Sequence, residues 1–350
     1  MSKVKLGIIG VGNMGTTHIR NIMEGKCPEI TVAAAADRLE GRRAWVKENA
    51  PDAVIFSEGS ELIASGICDA VIIATPHYQH PTLAQEAFAH NLHVMCEKPA
   101  GVYTLQVRDM IAAADEHPDR VFGMMFNQRT NCLYRKAKEL IASGEIGDIK
   151  RVNWIITDWY RTQQYYDSGA WRATWAMDGG GAMMNQGIHG VDVFRYLMGP
   201  VKTVNGLARC LTREKGGKPL EVEDAAAAVL EFENGALGII EGSTTCYPGY
   251  PRRIVISGDK GSVVLEENSI MNWDLGDFEC RLPIGAQAKN SGASDPMAID
   301  NSGHVLQIGN LVRSILNGEE LLATAYSGRL PLEIILGIYE SSKTGKTVTL

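Results

Sequence analysis

The chain has 350 residues, a formal net charge of -7, 45% hydrophobic residues and 21% charged residues. The length is sufficient for two domains with separate cores, and the composition is typical of a soluble globular protein. The negative charge, without any basic stripe, excludes a nucleic-acid partner. We expect no membrane span and no signal peptide, because no apolar run is long enough and a strand follows the N-terminus directly. The seven cysteines are scattered and never in CxxC spacing, which predicts reduced thiols and a cytoplasmic protein.

A glycine-rich loop follows the first predicted strand. The strand covers Lys3–Ile9 and a helix is predicted over Thr16–Met23, with Gly10-Val11-Gly12-Asn13-Met14-Gly15 between them. In this context the first glycine allows a tight turn, the second lets the backbone approach a pyrophosphate, and the third lets helix and strand pack closely. The sequence therefore predicts a dinucleotide site; the alternative is a tight turn without a ligand.

An acidic residue ends the second strand, Ile30–Ala36. Asp37 can accept hydrogen bonds from the adenosine ribose and would repel a 2′-phosphate, which favours NAD over NADP. Arg38 is a complication, since arginine can hold that phosphate. Asp37 could equally cap the helix that is predicted to start near Leu39.

Another buried strand runs from Asp69 into the turn Ala74-Thr75-Pro76, whose small residues leave room for a cofactor. Two pairs of histidines follow this turn, and the alternative interpretation of these pairs is a metal site. No cysteine or carboxylate completes a ligand set, so we expect no metal, and His80 is predicted to cap or line the cofactor cleft. Further helices and strands alternate after this turn, the doubly wound pattern: helices Leu83–His90 and Leu105–Glu116, strands Leu92–Cys96 and Val121–Phe126.

The tripeptide Glu97-Lys98-Pro99 follows one of these strands. Ligands of open α/β sheets bind beyond the carboxyl ends of the strands, and proline restricts the residue before it. Lys98 is therefore a candidate catalytic residue; the alternative is a solvated lysine in a turn.

The remainder of the chain predicts a mainly antiparallel sheet with helices. A helix is expected over Asn131–Ser143, ending at Gly144, and Leu282–Ser302 is predicted as a loop. Strands are expected over Ile149–Trp159, Val201–Leu211, Ala225–Phe232, Ala236–Gly242, Arg253–Ser257 and Gly261–Glu266, and helices over Asn185–Leu197, Val305–Leu316 and Pro331–Ser342. The predicted domains are 1–126 and 127–350.

Two stretches of this second part have residue types suited to chemistry. The first, 158–167 with Trp171-Arg172, mixes aromatic rings with amides, carboxylates and guanidinium groups, which suits a polyol; the alternative is ordinary core packing. The second runs from Asp178 through three glycines to Asp192. On a helix Asn185 and His189 share a face, and Asp192 could orient the imidazole. The alternative is a helix histidine that Asp192 satisfies without chemistry.

The chain resembles the glucose–fructose oxidoreductase, inositol dehydrogenase and rhizopine-catabolism (Gfo/Idh/MocA) oxidoreductases over essentially its whole length. The matching motifs are Gly10-x-Gly12-x-x-Gly15, Ala74-Thr75-Pro76 with His80, Glu97-Lys98-Pro99, Asn127-x-Arg129, Gly144-x-Ile146-Gly147 and Gly179-Gly180-Gly181 leading to His189. This resemblance implies an α/β fold: an N-terminal Rossmann domain, and a C-terminal α/β domain with a large, mainly antiparallel, open-faced sheet that forms homodimers or homotetramers.

The resemblance also implies site residues. The family's lysine falls on Lys98 and its histidine on His189, while the catalytic aspartate of its inositol dehydrogenases is replaced by Asn185. The implied cofactor-binding residues are Gly10, Gly12, Asn13, Met14, Gly15, Asp37, Arg38, Ala74, Thr75, Pro76, His80, Glu97, Lys98, Asn127, Trp171 and Arg172. Together with the aromatic stretch, the predicted substrate-binding residues are Lys98, Arg129, Asp158, Tyr160, Tyr166, Trp171, Asn185 and His189.

An amide cannot accept a proton, so Asn185 can only position a hydroxyl or the imidazole. His189 is then the better general base and Lys98 would stabilise the developing alkoxide, although either could take the proton. The leading function is an NAD-dependent dehydrogenase of a sugar, cyclitol or glycoside secondary alcohol, such as an inositol dehydrogenase or glycoside 3-dehydrogenase. The rivals are an NAD-dependent glycosidase that oxidises C3 transiently, and a non-enzymatic regulator that senses dinucleotides.

Overall fold

The computed structural model describes residues 3–169, 171–266, 269–274 and 302–350. Apart from Ser302, the predicted loop over Leu282–Ser302 lies outside the described residues. The chain divides into two compact units, Met1–Asn127 with Asn301–Arg329, and Gln128–Asp300 with Leu330–Leu350.

The strands and helices are numbered here in chain order. The strands are β1 Val4–Ile9, β2 Ile30–Ala36, β3 Val54–Phe56, β4 Ala70–Ile73, β5 His93–Cys96, β6 Phe122–Met124, β7 Ile149–Ile156, β8 Val201–Arg209, β9 Glu214–Lys215, β10 Lys218–Pro219, β11 Ala225–Phe232, β12 Leu237–Ser243, β13 Arg253–Gly258, β14 Ser262–Glu266, β15 Ser269–Asp274 and β16 Val348–Thr349. The α-helices are α1 Asn13–Met23, α2 Glu40–Asn49, α3 Gly59–Ala64, α4 His80–Ala89, α5 Thr104–Asp115, α6 Cys132–Ser143, α7 Gln163–Asp167, α8 Ile188–Met198, α9 Ser302–Asn317 and α10 Ala325–Thr344.

The first unit contains a parallel sheet in the order β3-β2-β1-β4-β5-β6. Strand β4 is apolar and buried along its whole length, as expected for a parallel sheet covered on both faces, and β1 departs from this only at exposed Lys5. This strand order places the reversal between β1 and β4, where dinucleotides bind in doubly wound sheets.

Helix α9 belongs to the first unit, although the predicted boundary assigned it to the second domain. Ile308, Leu311 and Val312 are buried in the same core as residues of β1 and α1. The Gln307 amide donates to the carbonyl of Met124 over 2.8 Å, and the Met124 N–H donates to Ala323 over 2.9 Å. The domain limits of 1–126 and 127–350 therefore have to be corrected for this returning segment, because its packing partners lie far away in sequence.

The second unit contains an eight-stranded sheet in the order β15-β14-β13-β7-β12-β11-β8-β16. Neighbouring strands are antiparallel except β7 and β12, which are parallel, so the predicted mainly antiparallel sheet is confirmed. Gly190 allows α8 to lie on β7, since a Cβ there would collide with the side chain of Ile156. Alternation along the strands buries Trp154 and Leu230 on the helix side and leaves Val229 and Ile239 exposed on the other.

Local signals placed both ends of α6 to within one residue, whereas the predicted starts of α1, α4, α9 and α10 are three to six residues too late. The Asn131 side chain accepts from the N–H of Leu133 at the start of α6, and Gly144 ends that helix with a φ of 75°. The helix predicted from Asn185 differs in kind: Met183–Gly187 forms a π-helical turn, and α8 begins only at Ile188.

Candidate active site

The glycine loop of the first unit has the geometry that a dinucleotide requires. Gly10 has a φ of +92°, and a Cβ there would lie 2.6 Å from the carbonyl oxygen of Ala74. A Cβ at Gly15 would collide with the Gly10 carbonyl, whereas one at Gly12 would have no heavy atom within 4 Å. Gly10 and Gly15 are thus required by the fold, and Gly12 leaves open space over the start of α1. Asn13 and Met14 form the first residues of that helix, whose N–H groups favour an anion.

Asp37 lies at the end of β2 and is tied to the glycine loop. Its Oδ2 accepts from the N–H of Val11 over 2.8 Å, and its Oδ1 accepts from the N–H of Leu39 over 2.9 Å. Helix α2 begins after Leu39, so Asp37 bonds to the turn before the helix and does not occupy the cap position. Each carboxylate oxygen can accept a further bond, as binding of ribose hydroxyls requires. The neighbouring Arg38 is exposed, and its Nε lies 2.9 Å from Glu58.

His80 joins the loops after β4 and β5. Its Nδ1 lies 2.7 Å from the carbonyl oxygen of Pro99, and its Nε2 lies 2.8 Å from that of Thr75. Burial lowers the pKa of His80. The Thr75 hydroxyl is buried and makes no hydrogen bond to the described part of the chain, which fits a polar ligand group beside the turn Ala74-Thr75-Pro76. Within those residues no group of three or more His, Cys, Asp or Glu side chains could hold a metal ion.

Glu97, in the Glu97-Lys98-Pro99 turn, belongs to a buried charged cluster that the sequence did not indicate. Nε2 of His18, on α1, lies 2.8 Å from Oε1 of Glu97, and the ring of His304, on α9, lies 5.9 Å from that of His18. Burial raises the pKa of Glu97, but the hydrogen bond from His18 and the charges of His18, His304 and Lys98 outweigh it and lower the pKa to about 2. A permanent carboxylate therefore lies next to Lys98, and it favours the ammonium form of the lysine.

Asn127 belongs to the same cluster. Its Nδ2 lies 3.4 Å from Nδ1 of His304, and both side chains are buried. No local pattern marked His18 or His304, because each occupies an ordinary interior position of an amphipathic helix. Only the tertiary packing of α1, α9 and the end of β5 brings them together.

In the second unit the π-helical turn and the start of α8 carry the candidate catalytic side chains. Asn185 and His189 are both half-buried, and the His189 ring packs edge-to-face on Trp159 with centroids 6.1 Å apart. The Asn185 Nδ2 donates to Oδ1 of Asp178 over 3.3 Å. The widened turn also directs Gln186 toward Tyr165, whose hydroxyl accepts from Nε2 over 3.0 Å.

Glu223 fixes the position of this turn. Its carboxylate accepts from the N–H groups of Gly181 and Met183 over 2.9 and 2.8 Å, and from the hydroxyl of Tyr339 over 2.8 Å. Burial raises the pKa of Glu223 to about 7, against the opposing effect of these bonds. The backbone of Gly181 lies so close to Glu223 that a Cβ would collide with its carbonyl oxygen. Gly180 and Gly181 thus serve close packing, while Gly179 adopts a φ of 75°, and nothing in the local sequence indicated Glu223.

Asp192 pairs with Arg129 and not with His189, the partner that the sequence suggested. Its two oxygens accept from Nε and Nη2 of Arg129 over 2.9 and 2.7 Å, and both side chains are buried. The Arg129 guanidinium also lies 4.9 Å from the ring centroid of Tyr196. Arg129, predicted to bind substrate, and Asp192, predicted to orient His189, instead form a structural ion pair on the buried side of α8.

The aromatic stretch divides into buried and accessible parts. In the core, the hydroxyl groups of Tyr166 and Thr244 share a hydrogen bond of 2.7 Å. Oδ2 of buried Asp158 lies 3.0 Å from Nε of Arg252. These contacts favour the core interpretation for Tyr166 and Asp158. Tyr160 is half-buried and packs edge-to-face on Tyr247.

Trp171 and Arg172 form a second group of side chains, which Tyr165 connects to Gln186. The Arg172 guanidinium stacks 4.3 Å from the Tyr165 ring centroid and 4.7 Å from that of Trp171, and it donates to the Tyr165 hydroxyl over 2.8 Å. Tyr165, bonded to both Arg172 and Gln186, therefore links this pair to the turn that carries Asn185. The second unit thus presents rings, a guanidinium group, an amide and an imidazole together, as recognition of a polyol requires.

Comparison with known proteins places both units in one family. Residues 4–124 match the oxidoreductase family model with an NAD-binding Rossmann fold, and residues 134–264 match the Gfo/Idh/MocA C-terminal domain model. The chain belongs to the Gfo/Idh/MocA family of NAD(P)-dependent oxidoreductases. It is 29% identical over 279 residues to the myo-inositol 2-dehydrogenase of Thermotoga maritima, covering 78% of this chain and 80% of that protein.

Two further members of the family show its range. The NADP(+)-dependent D-xylose 1-dehydrogenase of Haloarcula marismortui is 26% identical over 354 residues, covering 99% of this chain and 93% of that one. The crystal structure of the WlbA dehydrogenase from Bordetella pertussis in complex with NADH and UDP-GlcNAcA has a TM-score of 0.85 at 27% identity, covering 99% of each chain. This Gfo/Idh/MocA protein is accordingly an NAD(P)-dependent dehydrogenase that acts on CH–OH groups. No helix among its described residues has the length and apolarity to span a membrane.

Proposed function

We propose that this Gfo/Idh/MocA protein is an NAD-dependent dehydrogenase of a secondary alcohol in a sugar, cyclitol or glycoside. The observation that carries the proposal is the set of contacts around Asn185 and His189: the His189 ring packs on Trp159, and Gln186, next to Asn185, bonds to Tyr165, which also bonds to Arg172. Ring faces suit the C–H surface of a sugar, and the polar groups suit its hydroxyls. The named activities of the inositol and xylose relatives support the same substrate class.

The side chains divide the proton and charge requirements of an alcohol oxidation among themselves. His189 removes the hydroxyl proton as general base, since its imidazole can take a proton near neutral pH. Lys98, kept as ammonium beside the Glu97 carboxylate, stabilises the developing alkoxide. Asn185 positions the hydroxyl and does not titrate. The nicotinamide, when bound, accepts the hydride.

A substrate panel tests this function directly. Inositols, free hexoses and pentoses, nucleotide sugars and aryl glycosides are each incubated with NAD or NADP, and NADH or NADPH absorbance is followed. We expect accumulation of reduced cofactor with at least one polyol or sugar. Release of aglycone from an aryl glycoside without accumulating NADH would instead identify the glycosidase reaction, and no turnover with any compound would overturn the proposal.

Asp37 is proposed to set the preference for NAD. Its carboxylate accepts ribose hydroxyls and repels a 2′-phosphate, while exposed Arg38 is paired with Glu58. Asp37→Ser should shift the ratio of NAD to NADP affinity toward NADP by roughly tenfold or more, measured by fluorescence titration of both cofactors. Asp52→Ser, on the exposed turn before β3, is the control and should leave the ratio unchanged. Tighter binding of NADP by the unmodified protein would contradict the assignment.

A further inference from the structure

We propose that Asp178 is a positioning residue that holds the amide of Asn185 in one orientation, with its oxygen directed to the substrate hydroxyl. The inference rests on the proposed function for its substrate, but the pairing itself is independent of it. In such a site the neutral amide oxygen of Asn185 accepts from the substrate hydroxyl, and the buried carboxylate of Asp178 accepts from the nitrogen of the same amide.

The chemistry of the two groups determines the orientation of the amide. Asp178 is 3% exposed, and its Oδ1 lies 3.3 Å from the side-chain nitrogen of Asn185. A carboxylate can only accept, so Asn185 must turn its NH₂ group to Asp178. The carbonyl oxygen of the amide is then the end that can accept from a hydroxyl at the accessible side of Asn185.

The loop before the three glycines keeps Asp178 in place. Its other oxygen accepts from the N–H of Ala173 over 2.9 Å. The N–H groups of Asp178 and Gly179 both donate to the carbonyl of Thr174, over 2.9 and 3.1 Å. Ala173 itself has a φ of 58°, a conformation that alanine rarely adopts, so the rest of the loop must impose it. Asp178 is therefore a fixed support for Asn185 rather than a mobile surface carboxylate.

The charged surroundings make a second carboxylate at position 185 costly. Burial, with the charge of Glu223 and a smaller effect of Asp178, raises the pKa of Tyr339, and Glu223 supports the same π-helical turn. Glu221 accepts from the N–H of Trp175 in the Asp178 loop. The neighbouring charged or titratable groups also include His189, at the start of α8, and Tyr165 with Arg172, which Gln186 reaches through the Tyr165 hydroxyl. An aspartate at 185 would therefore face Asp178 across a hydrogen bond, and one of the pair would keep a proton into the neutral range.

The test compares Asn185→Asp with the exchanged double variant Asp178→Asn/Asn185→Asp, using thermal unfolding of the full chain from pH 4 to 8. In Asn185→Asp the folded pKa of one carboxyl is raised above its unfolded value. Stability should therefore fall as the pH rises through that window, by roughly 3 to 6 °C relative to the unmodified protein. The double variant keeps one amide and one carboxylate and should not show this fall. Asn317→Asp, at the exposed end of α9, is the control for an added charge.

The proposal is overturned if Asn185→Asp and the double variant have the same dependence on pH. Kinetics with the best panel substrate test the role in the reaction. Asp178→Asn lets the amide of Asn185 take either orientation, so KM should rise and kcat/KM should fall by about tenfold, with NAD affinity unchanged. Unchanged kcat/KM in Asp178→Asn would overturn the positioning role. If the panel yields no substrate, the proposed function fails, while the pH-dependent unfolding still decides whether Asp178 and Asn185 are paired.

Discussion

The chemistry of single residues in this protein depends on the side chains that surround them. Lys98 follows Glu97, whose buried carboxylate is held ionised by His18 and His304. His189 packs on Trp159 and lies at the start of α8, just after the turn that contains Asn185. The two candidate catalytic groups thus have different surroundings: the lysine follows a buried carboxylate, and the histidine packs on an aromatic ring.

Removal of either group should slow the chemical step without unfolding the protein. Lys98→Ala and His189→Ala should each lower the hydride-transfer rate by roughly 10²- to 10⁴-fold, the range for lost acid–base catalysis. NAD affinity should change little in His189→Ala, because His189 belongs to the second unit. Single-turnover absorbance with the best panel substrate measures the rate, and His90→Ala, an exposed histidine, is the matched control. Nearly full turnover by His189→Ala would remove His189 from the mechanism.

In the six-residue glycine loop, different glycines are needed for cofactor binding and for folding. A methyl group at Gly12 meets no heavy atom within 4 Å, whereas one at Gly15 collides with the Gly10 carbonyl. Gly12→Ala should keep the melting temperature within a few degrees but lose NAD affinity by about tenfold or more, because its methyl group occupies the pyrophosphate approach. Gly15→Ala should lower the melting temperature strongly. Calorimetry and NAD titration together measure both effects, and full NAD affinity in Gly12→Ala would argue against this loop as the cofactor site.

The turn held by Glu223 should make stability depend on pH. The folded pKa is about 7 and lies above the unfolded value near 4.5, so the folded state binds the extra proton between these two values. The free energy of unfolding should therefore fall by roughly 3 kcal/mol from pH 4.5 to 7 on account of this group.

Urea unfolding at several pH values measures this slope. Glu223→Gln removes the titrating group and should flatten the decrease between pH 4.5 and 7, while Glu241→Gln, on an exposed position of β12, should not change it. An unaltered slope in Glu223→Gln would show that another group titrates in this window.

Elements with strong periodicity were predictable, and those defined by tertiary packing were not. Alternation located β11 and β12, and Asn131 and Gly144 marked the ends of α6 because caps are local signals. Strand β3 was missed because three residues carry too little pattern. The π-helical turn has a sequence that an α-helix could also have, and the N–H of Met183 in it donates to Glu223, a residue distant in sequence that no local pattern indicates.

On the scale of the whole molecule, the outer face of the second sheet predicts association. Val229, Leu237 and Ile239 are 52%, 57% and 44% exposed, and Val229 lies directly opposite Ile239 on the neighbouring strand. Leu207 and Ile155 extend this apolar face to β8 and β7. A contiguous exposed face of this kind calls for a partner, and a second copy of the chain presents the same face.

Light scattering at micromolar concentration should therefore give a dimer or tetramer. Leu237→Lys/Ile239→Lys places two charges in the face and should shift the mass toward the monomer. Leu105→Lys, at an exposed position of α5, should leave the mass unchanged. A clean monomer for the unmodified protein would rule out this role of the sheet.

The motifs of the first 126 residues predicted the Rossmann unit, and the returning α9 explains why they did not delimit it. Residues 308–312 pack among residues of β1 and α1, so a fragment ending at residue 126 would leave that part of the core open to water. During synthesis the first unit cannot complete its core until α9 has left the ribosome. The nascent cofactor domain must therefore wait, incompletely folded, while the ribosome translates nearly the whole of the other unit.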